Sequence, residues 1–284
     1  MVRDPVKIIE KHFADFTKSE REIAAYVLAN LRQIPFETGA TIAEKVGVSQ
    51  MTVGRFLRSI GYERLRDLKE DLRSQSINPG FMVTDRLKNL NKNSGEGQDL
   101  QANLQRDIEA QIAVYEFVGS DVWRNSIEKI ISADAVFVTG FQTLEGIASD
   151  FCARLQYLRP DVTFLTSGDG TFAPLFVGSA KKPVLILFEM RRYTKYSLKL
   201  AEMAKKKGID VIIICDQHCY WARDYTPNVF ALNTESQLFW DSQLPFVSLL
   251  SLISDQIAHE TKAALNERIN QMGELQSAFG VFED

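Results

Sequence analysis

Long apolar runs are missing from this chain of 284 residues. No stretch approaches the roughly 20 residues needed to cross a bilayer, so a membrane is not an expected partner. Cysteine is scarce as well. Cys152, Cys215 and Cys219 are the full complement, too few for a disulfide framework. The segment from Met1 to Phe13 mixes charged and apolar positions and lacks the continuous hydrophobic stretch of a secretory signal. Together these absences point to a cytoplasmic protein. An excess of positive charge is also lacking: 33 Lys and Arg stand against 37 Asp and Glu, a net charge of −4. Blanket binding to nucleic acid is therefore excluded.

The charge is unevenly spread. Between Lys45 and Arg73 basic residues outnumber acidic ones, whereas the chain as a whole is acidic. A local basic segment of this kind suits a small DNA-binding module joined to something else, although a solvated helix face would give the same count. Residues 1 to about 75 have helical periodicity and no convincing strand. Ile23, Val27 and Leu31 recur at four-residue spacing behind Thr17 or Ser19, with Glu20 and Glu22 following as a helix start requires. Residues 76–103 are polar, with a short helix expected around Phe81 to Leu90, and Leu104, Ile108, Ile112 and Tyr115 mark one face of a helix.

After Ser132 short β-branched runs alternate with helical stretches. The runs cover 135–139, 162–166, 183–188, 211–215 and 228–232. Continuous apolar strands separated by crossover-length segments predict a parallel sheet covered on both faces. The apolar segment beginning at Leu244 predicts a buried closing helix, and Leu265, Ile269, Met272 and Leu275 continue an apolar stripe beyond it.

Residues 41–62, T-I-A-E-K-V-G-V-S-Q-M-T-V-G-R-F-L-R-S-I-G-Y, have the pattern of a helix-turn-helix. Ile42, Ala43 and Val46 supply the inner face of a first helix. Gly47 permits the positive φ of the turn, Val48 plugs the core, and Ser49 caps the second helix. Val53, Phe56, Leu57 and Ile60 then face inward. Gln50, Thr52 and Arg55 lie opposite, where their side chains match purine edges and thymine methyls. Arg58 on the flank and Lys45 on the first helix are phosphate-contact candidates.

Residues 17–73 closely resemble the amino-terminal domain of RpiR-type bacterial transcriptional regulators, whose V-S-x-x-T-V-x-R-F-x-R-x-x-G-Y core is complete here. The resemblance implies a carboxy-terminal sugar isomerase (SIS) domain, a five-stranded parallel αβα sandwich that holds sugar phosphates. The expected organisation is an all-α helix-turn-helix domain over 1–78, a linker and helix over 79–120, and an α/β SIS domain over 121–284. Its implied partners are double-stranded operator DNA, a small sugar-derived effector and a second copy or copies of the chain, as homodimer or homotetramer. The stripes Leu104-Ile108-Ile112 and Leu265-Ile269-Met272 are candidate subunit contacts. No cofactor is implied.

The resemblance also locates the effector site, and there the sequence departs from the family. The first motif, G-x-G-x-S, falls on Gly140 to Leu144, where Gln142 replaces the second glycine and Thr143 offers a hydroxyl. The second, S-x-S-G-x-T, falls on Glu189-Met190-Arg191-Arg192-Tyr193-Thr194 and retains only Thr194. Ser167 completes the effector-site candidates. A hydroxyl cradle has become a guanidinium pair beside a carboxylate. Arg191 and Arg192 either grip an anionic effector or pair with Glu189 or a neighbouring subunit. An isomerase-like enzyme would need an acid/base pair, for which Glu189 and His259 are the candidates. A regulator using the SIS domain only for assembly is the other alternative. Cys215, His218 and Cys219 in C-D-Q-H-C have metal-like spacing but no fourth ligand nearby, so no metal is expected. Trp221, Tyr220 and Tyr225 either floor a pocket or pack on the sheet.

Overall fold

The computed structural model describes residues 5–31, 34, 37–74, 87, 100–166, 168 and 170–280. The helix expected around 81–90 lies outside the described residues apart from Leu87, and so does Ser167. The chain divides into two compact units, residues 1–94 and 95–284.

The first unit contains helices α1 (Pro5–His12), α2 (Lys18–Ala29), α3 (Gly39–Val46), α4 (Gln50–Ser59) and α5 (Leu65–Ser74). Thr17 starts α2 through a capping box. Its hydroxyl accepts from the Glu20 N–H, and the Glu20 carboxylate accepts from the Thr17 N–H at 2.9 Å. Two otherwise orphaned amide donors are thereby satisfied. Ile23, Val27, Ile42, Val53, Phe56 and Leu68 meet in one core. Leu31 lies past the end of α2 yet is buried in the same core, so its periodicity outlasts the helix.

The second unit begins with α6 (Leu100–Tyr115), whose first turn falls within a stretch that reads as loop in the sequence. The polar composition of 100–103 hides it: Asn103 is buried for its hydrogen bonds, not for an apolar contact. Next come α7 (Asp121–Ser132), β1 (Ala135–Gly140), α8 (Glu145–Leu158), β2 (Val162–Phe164), α9 (Ala173–Val177) and β3 (Pro183–Glu189). The unit ends with α10 (Lys195–Lys206), β4 (Asp210–Asp216), β5 (Val229–Leu232), α11 (Leu244–Glu260) and α12 (Lys262–Ala278).

The five strands form one parallel sheet in the order β2-β1-β3-β4-β5. Side-chain alternation along each strand splits the apolar runs between two cores. Val184, Ile186 and Phe188 of β3 pack with α7, α8 and α11 on one face, and Leu185 and Leu187 pack with α10 on the other. That is why these strands are apolar without a break. Arg159 joins α8 to α7: its guanidinium donates to the carbonyls of Ile130, Ala133 and Pro160, supplying partners for the last carbonyls of α7. Among the described residues no helix is long and apolar enough to cross a membrane.

Strand order reverses between β1 and β3, since the chain runs outward from β1 to β2 and then crosses back to β3. In open parallel sheets that crevice, at the carboxyl ends of the strands, is where ligands bind. Gly140 and Glu189 end the two strands that flank it.

Candidate functional site

Two candidate sites arise, one in each unit. In the first, Gly47 ends α3 with φ of 77°, and Ser49 starts α4 by accepting from the Thr52 N–H at 3.1 Å. A residue with a Cβ would be strained at Gly47, so the glycine is needed for the turn. Val53, Phe56 and Leu57 bury the inner face of α4. Gln50, Met51, Arg55, Arg58 and Ser59 are exposed on the remaining surface, Met51 at 73%. Thr52 is half-buried, with its hydroxyl 2.7 Å from that of Ser49.

Lys45 has a different setting. Its ammonium lies 2.6 Å from a carboxylate oxygen of Glu37, a residue only 7% exposed, and the Tyr26 hydroxyl donates to the same oxygen at 2.7 Å. Burial pushes the Glu37 carboxyl up, but hydrogen bonds from Lys45 and Tyr26 bring it below the usual carboxylate range. Lys45 thus pins α3 to the residues before it. Nothing in the local sequence around Lys45 signals this, because Glu37 lies eight residues earlier.

In the second unit, the turn after β1 keeps a left-handed conformation without glycine. Gln142 has φ of 54°, and its side-chain amide donates to the backbone carbonyl of Arg192 at 3.0 Å. Gly140 serves packing: a Cβ there would stand 2.8 Å from Ala148 Cβ and 2.9 Å from the Leu144 carbonyl oxygen. Thr143 is exposed, and its carbonyl accepts from the Gln243 side chain at 3.2 Å.

The turn after β3 is organised around Glu189, which is 1% exposed. One carboxylate oxygen accepts from the Met190 N–H at 3.0 Å. The other accepts from the Thr194 N–H at 3.0 Å and from the Ser197 hydroxyl. Thr194 also caps α10, accepting from the Ser197 N–H at 3.1 Å. Burial raises the Glu189 carboxyl to about 7, against the opposing pull of these hydrogen bonds, and nearby Asp216 adds to the rise.

The two arginines diverge. Arg192 is exposed. Arg191 is half-buried, its N–H donates to Asp216 at 2.7 Å, and its charge helps hold the Glu235 carboxyl down, after a larger contribution from a hydrogen bond with His218. Asp216, fully buried at the end of β4, also accepts from the Tyr193 hydroxyl and the His218 N–H, each at 2.8 Å. Burial and the adjacent Asp216 push the Tyr193 phenol well above its ordinary value. The Arg191 N–H, the Tyr193 hydroxyl and the His218 N–H therefore converge on Asp216, while the His218 ring lies 3.5 Å from the Glu235 carboxylate. Trp221 meets Tyr193 and Tyr225 edge-on and packs on the sheet. Cys152, Cys215 and Cys219 are free and buried. His259 is exposed beside Asp255 at the end of α11, whereas the Glu189 carboxylate is enclosed, so the two suggested acid/base partners occupy unlike settings.

Beside these turns is a cleft of about 380 Å³ lined by Thr143, Met190, Trp240, Asp241 and Gln243. Three of those residues come from the 233–243 loop, which carries no sequence motif. An exposed tryptophan in a polar segment was the one available signal.

The chain thus joins a helix-turn-helix domain to a parallel αβα domain with a cleft at its switch point. Residues 5–78 match the helix-turn-helix domain of the rpiR family, so the amino-terminal domain belongs to that family. The chain is similar to the HTH-type transcriptional regulator HexR of Escherichia coli strain K12, with 23% identity over 251 residues, covering 87% of this chain and 83% of that protein. Two solved structures share its fold. The sugar isomerase domain of an RpiR transcription factor from Sphaerobacter thermophilus matches with a TM-score of 0.56 at 18% identity, over 63% of this chain and 99% of that one. The Vibrio vulnificus NanR protein, complexed with ManNAc-6P, matches with a TM-score of 0.56 at 14% identity, over 99% and 100%. The chain has the architecture of an RpiR-type transcriptional regulator.

Proposed function

We propose that this protein binds operator DNA through α4 and that a small sugar-derived molecule, held in the cleft between the β1 and β3 turns, alters that binding. The observation that carries the first half is the exposed face of α4. Gln50 and Arg55 stand on it as hydrogen-bonding side chains able to read base edges, while the opposite face is committed to the core. The cleft supports the second half. Trp240 offers a ring face, and Thr143, Asp241 and Gln243 offer the hydrogen-bonding groups that sugar hydroxyls require. That a protein of similar fold is found in complex with ManNAc-6P supports a sugar derivative as the kind of ligand.

Arg192, exposed beside the cleft, is the cation that a negative group on the effector would meet. The function proposed is regulatory and not catalytic, because the Glu189 carboxylate is occupied by its own hydrogen bonds and His259 stands apart from it. The protein acts in the cytoplasm and binds DNA at least as a dimer, since one helix-turn-helix covers a single half-site. Titrating full-length protein against promoter fragments, with and without candidate sugars, tests this reading. Salt-sensitive, sequence-selective binding that shifts on adding a sugar is the expected result. Turnover of a sugar phosphate without selective DNA binding would overturn it.

A further inference from the structure

The amino end of α10 has every part of an anion cradle. Thr194 and Met190 contribute N–H groups, Ser197 a hydroxyl, and the twelve-residue helix its dipole. All of these point at one acceptor, and that acceptor belongs to the chain itself. The Glu189 carboxylate receives both N–H groups at 3.0 Å together with the Ser197 hydroxyl, and it is enclosed from solvent. The Thr194 hydroxyl stands 3.5 Å from it. A second anion entering here would have to take those donors from the carboxylate that already holds them.

We propose that Glu189 is a specificity-determining residue: its side chain fills the α10 anion cradle from within the chain, so the effector is a sugar derivative held in the adjacent cleft without a phosphate group in that cradle. This deepens the regulatory reading and rests on it for the effector, but not for the role of Glu189. The cleft is built for such a ligand. The groups facing it are an indole, a carboxylate, an amide, a hydroxyl-bearing residue and a thioether, which suit ring faces and hydroxyls. The Asp241 carboxylate among them repels a phosphate, and the neighbouring cradle cannot compensate. The Gln142 amide, which could otherwise offer a donor from the β1 turn, is itself bound to the Arg192 carbonyl.

The test uses the full chain and inorganic phosphate, followed by calorimetry and by phosphorus NMR line width. Wild-type protein should give no saturable binding at millimolar phosphate. Glu189→Ser empties the cradle and adds a hydroxyl, so phosphate affinity should rise by about tenfold or more as several charge-assisted hydrogen bonds become available. Glu189→Thr, better suited to a strand end, is the second variant should the serine protein fail to fold. In a parallel arm, glucose and glucose 6-phosphate are compared, and the phosphorylated sugar should gain relative to the free sugar only in the variants. Saturable phosphate binding by wild type would overturn the proposal whatever the variants do. Folded variants that gain no phosphate binding would overturn it too. Neither result touches DNA binding. Loss of the regulatory reading would show instead as absent operator selectivity, with the phosphate result unchanged.

Discussion

The side-chain amide of Gln142 donates to the backbone carbonyl of Arg192, 3.0 Å away, and joins the turns after β1 and β3. The same residue holds a left-handed backbone at φ of 54°. These facts oppose each other energetically. Gln142→Ala loses one hydrogen bond, worth about 1 kcal/mol, and keeps the strain. Gln142→Gly loses the same bond but relieves about 1 kcal/mol of left-handed strain. Urea denaturation should therefore find the alanine variant less stable than the glycine variant, with glycine close to wild type. The reverse order would mean that the bond is unimportant or the strain absent.

Arg55 and Lys45 should behave differently although both are basic residues of the helix-turn-helix. Arg55→Ala should cost about 1–3 kcal/mol of specific DNA binding and relax sequence preference, with thermal stability unchanged. Lys45→Ala should lower the melting temperature, because it strands the buried Glu37 carboxylate, and should affect DNA mainly through that loss of fold. Mobility-shift titrations beside thermal melts of both variants separate the two roles.

Glu189 gives a pH prediction with a definite sign. Its carboxyl is raised from 4.5 to about 7, so the folded state holds the proton more tightly than the unfolded chain does. Its contribution to stability is complete below about 4.5 and is lost as pH rises through about 7. Glu189→Gln removes this dependence. The melting temperature of wild type relative to the Gln variant should fall between pH 5 and pH 8, as measured by scanning fluorimetry at matched ionic strength. A flat difference would mean that the buried carboxyl is not raised.

Assembly gives a fourth test. Leu104, Ile108, Ile112 and Tyr115 of α6 are between 45% and 61% exposed and, with Leu244, line an apolar groove of about 540 Å³. If that face meets its copy, Ile108→Asp should shift a dimer toward monomer in sedimentation equilibrium while the fold persists. An unchanged dimer would move the contact elsewhere.

Much of this was readable from residue order. The helix-turn-helix follows from Gly47, Ser49 and the spacing of Val53, Phe56 and Leu57, because capping and amphipathic burial are local effects. The sheet follows from five β-branched runs. The site was harder to read. Motif spacing places Glu189, Arg191 and Arg192 on one turn, but it does not reveal that Glu189 accepts from its own following helix while the Arg191 N–H donates to Asp216. The Arg191 contact depends on a residue 25 positions away, which no local pattern encodes, and the Glu189 contacts, though local, follow from a burial of the carboxylate that only the folded sheet imposes. Trp240 and Asp241 escaped notice for the same reason.

Asn103 carries one more consequence. Its buried side-chain oxygen accepts from the Ser236 hydroxyl at 2.9 Å and the Gln237 N–H at 3.0 Å, tying the first turn of α6 to the loop that supplies Trp240, Asp241 and Gln243 to the cleft. The rim of the cleft and the first helix of the second unit are thus joined by two hydrogen bonds on one buried side chain. Pulling that loop away from α6 would leave a buried amide oxygen without its two donors, so the loop and the start of the helix hold each other in place.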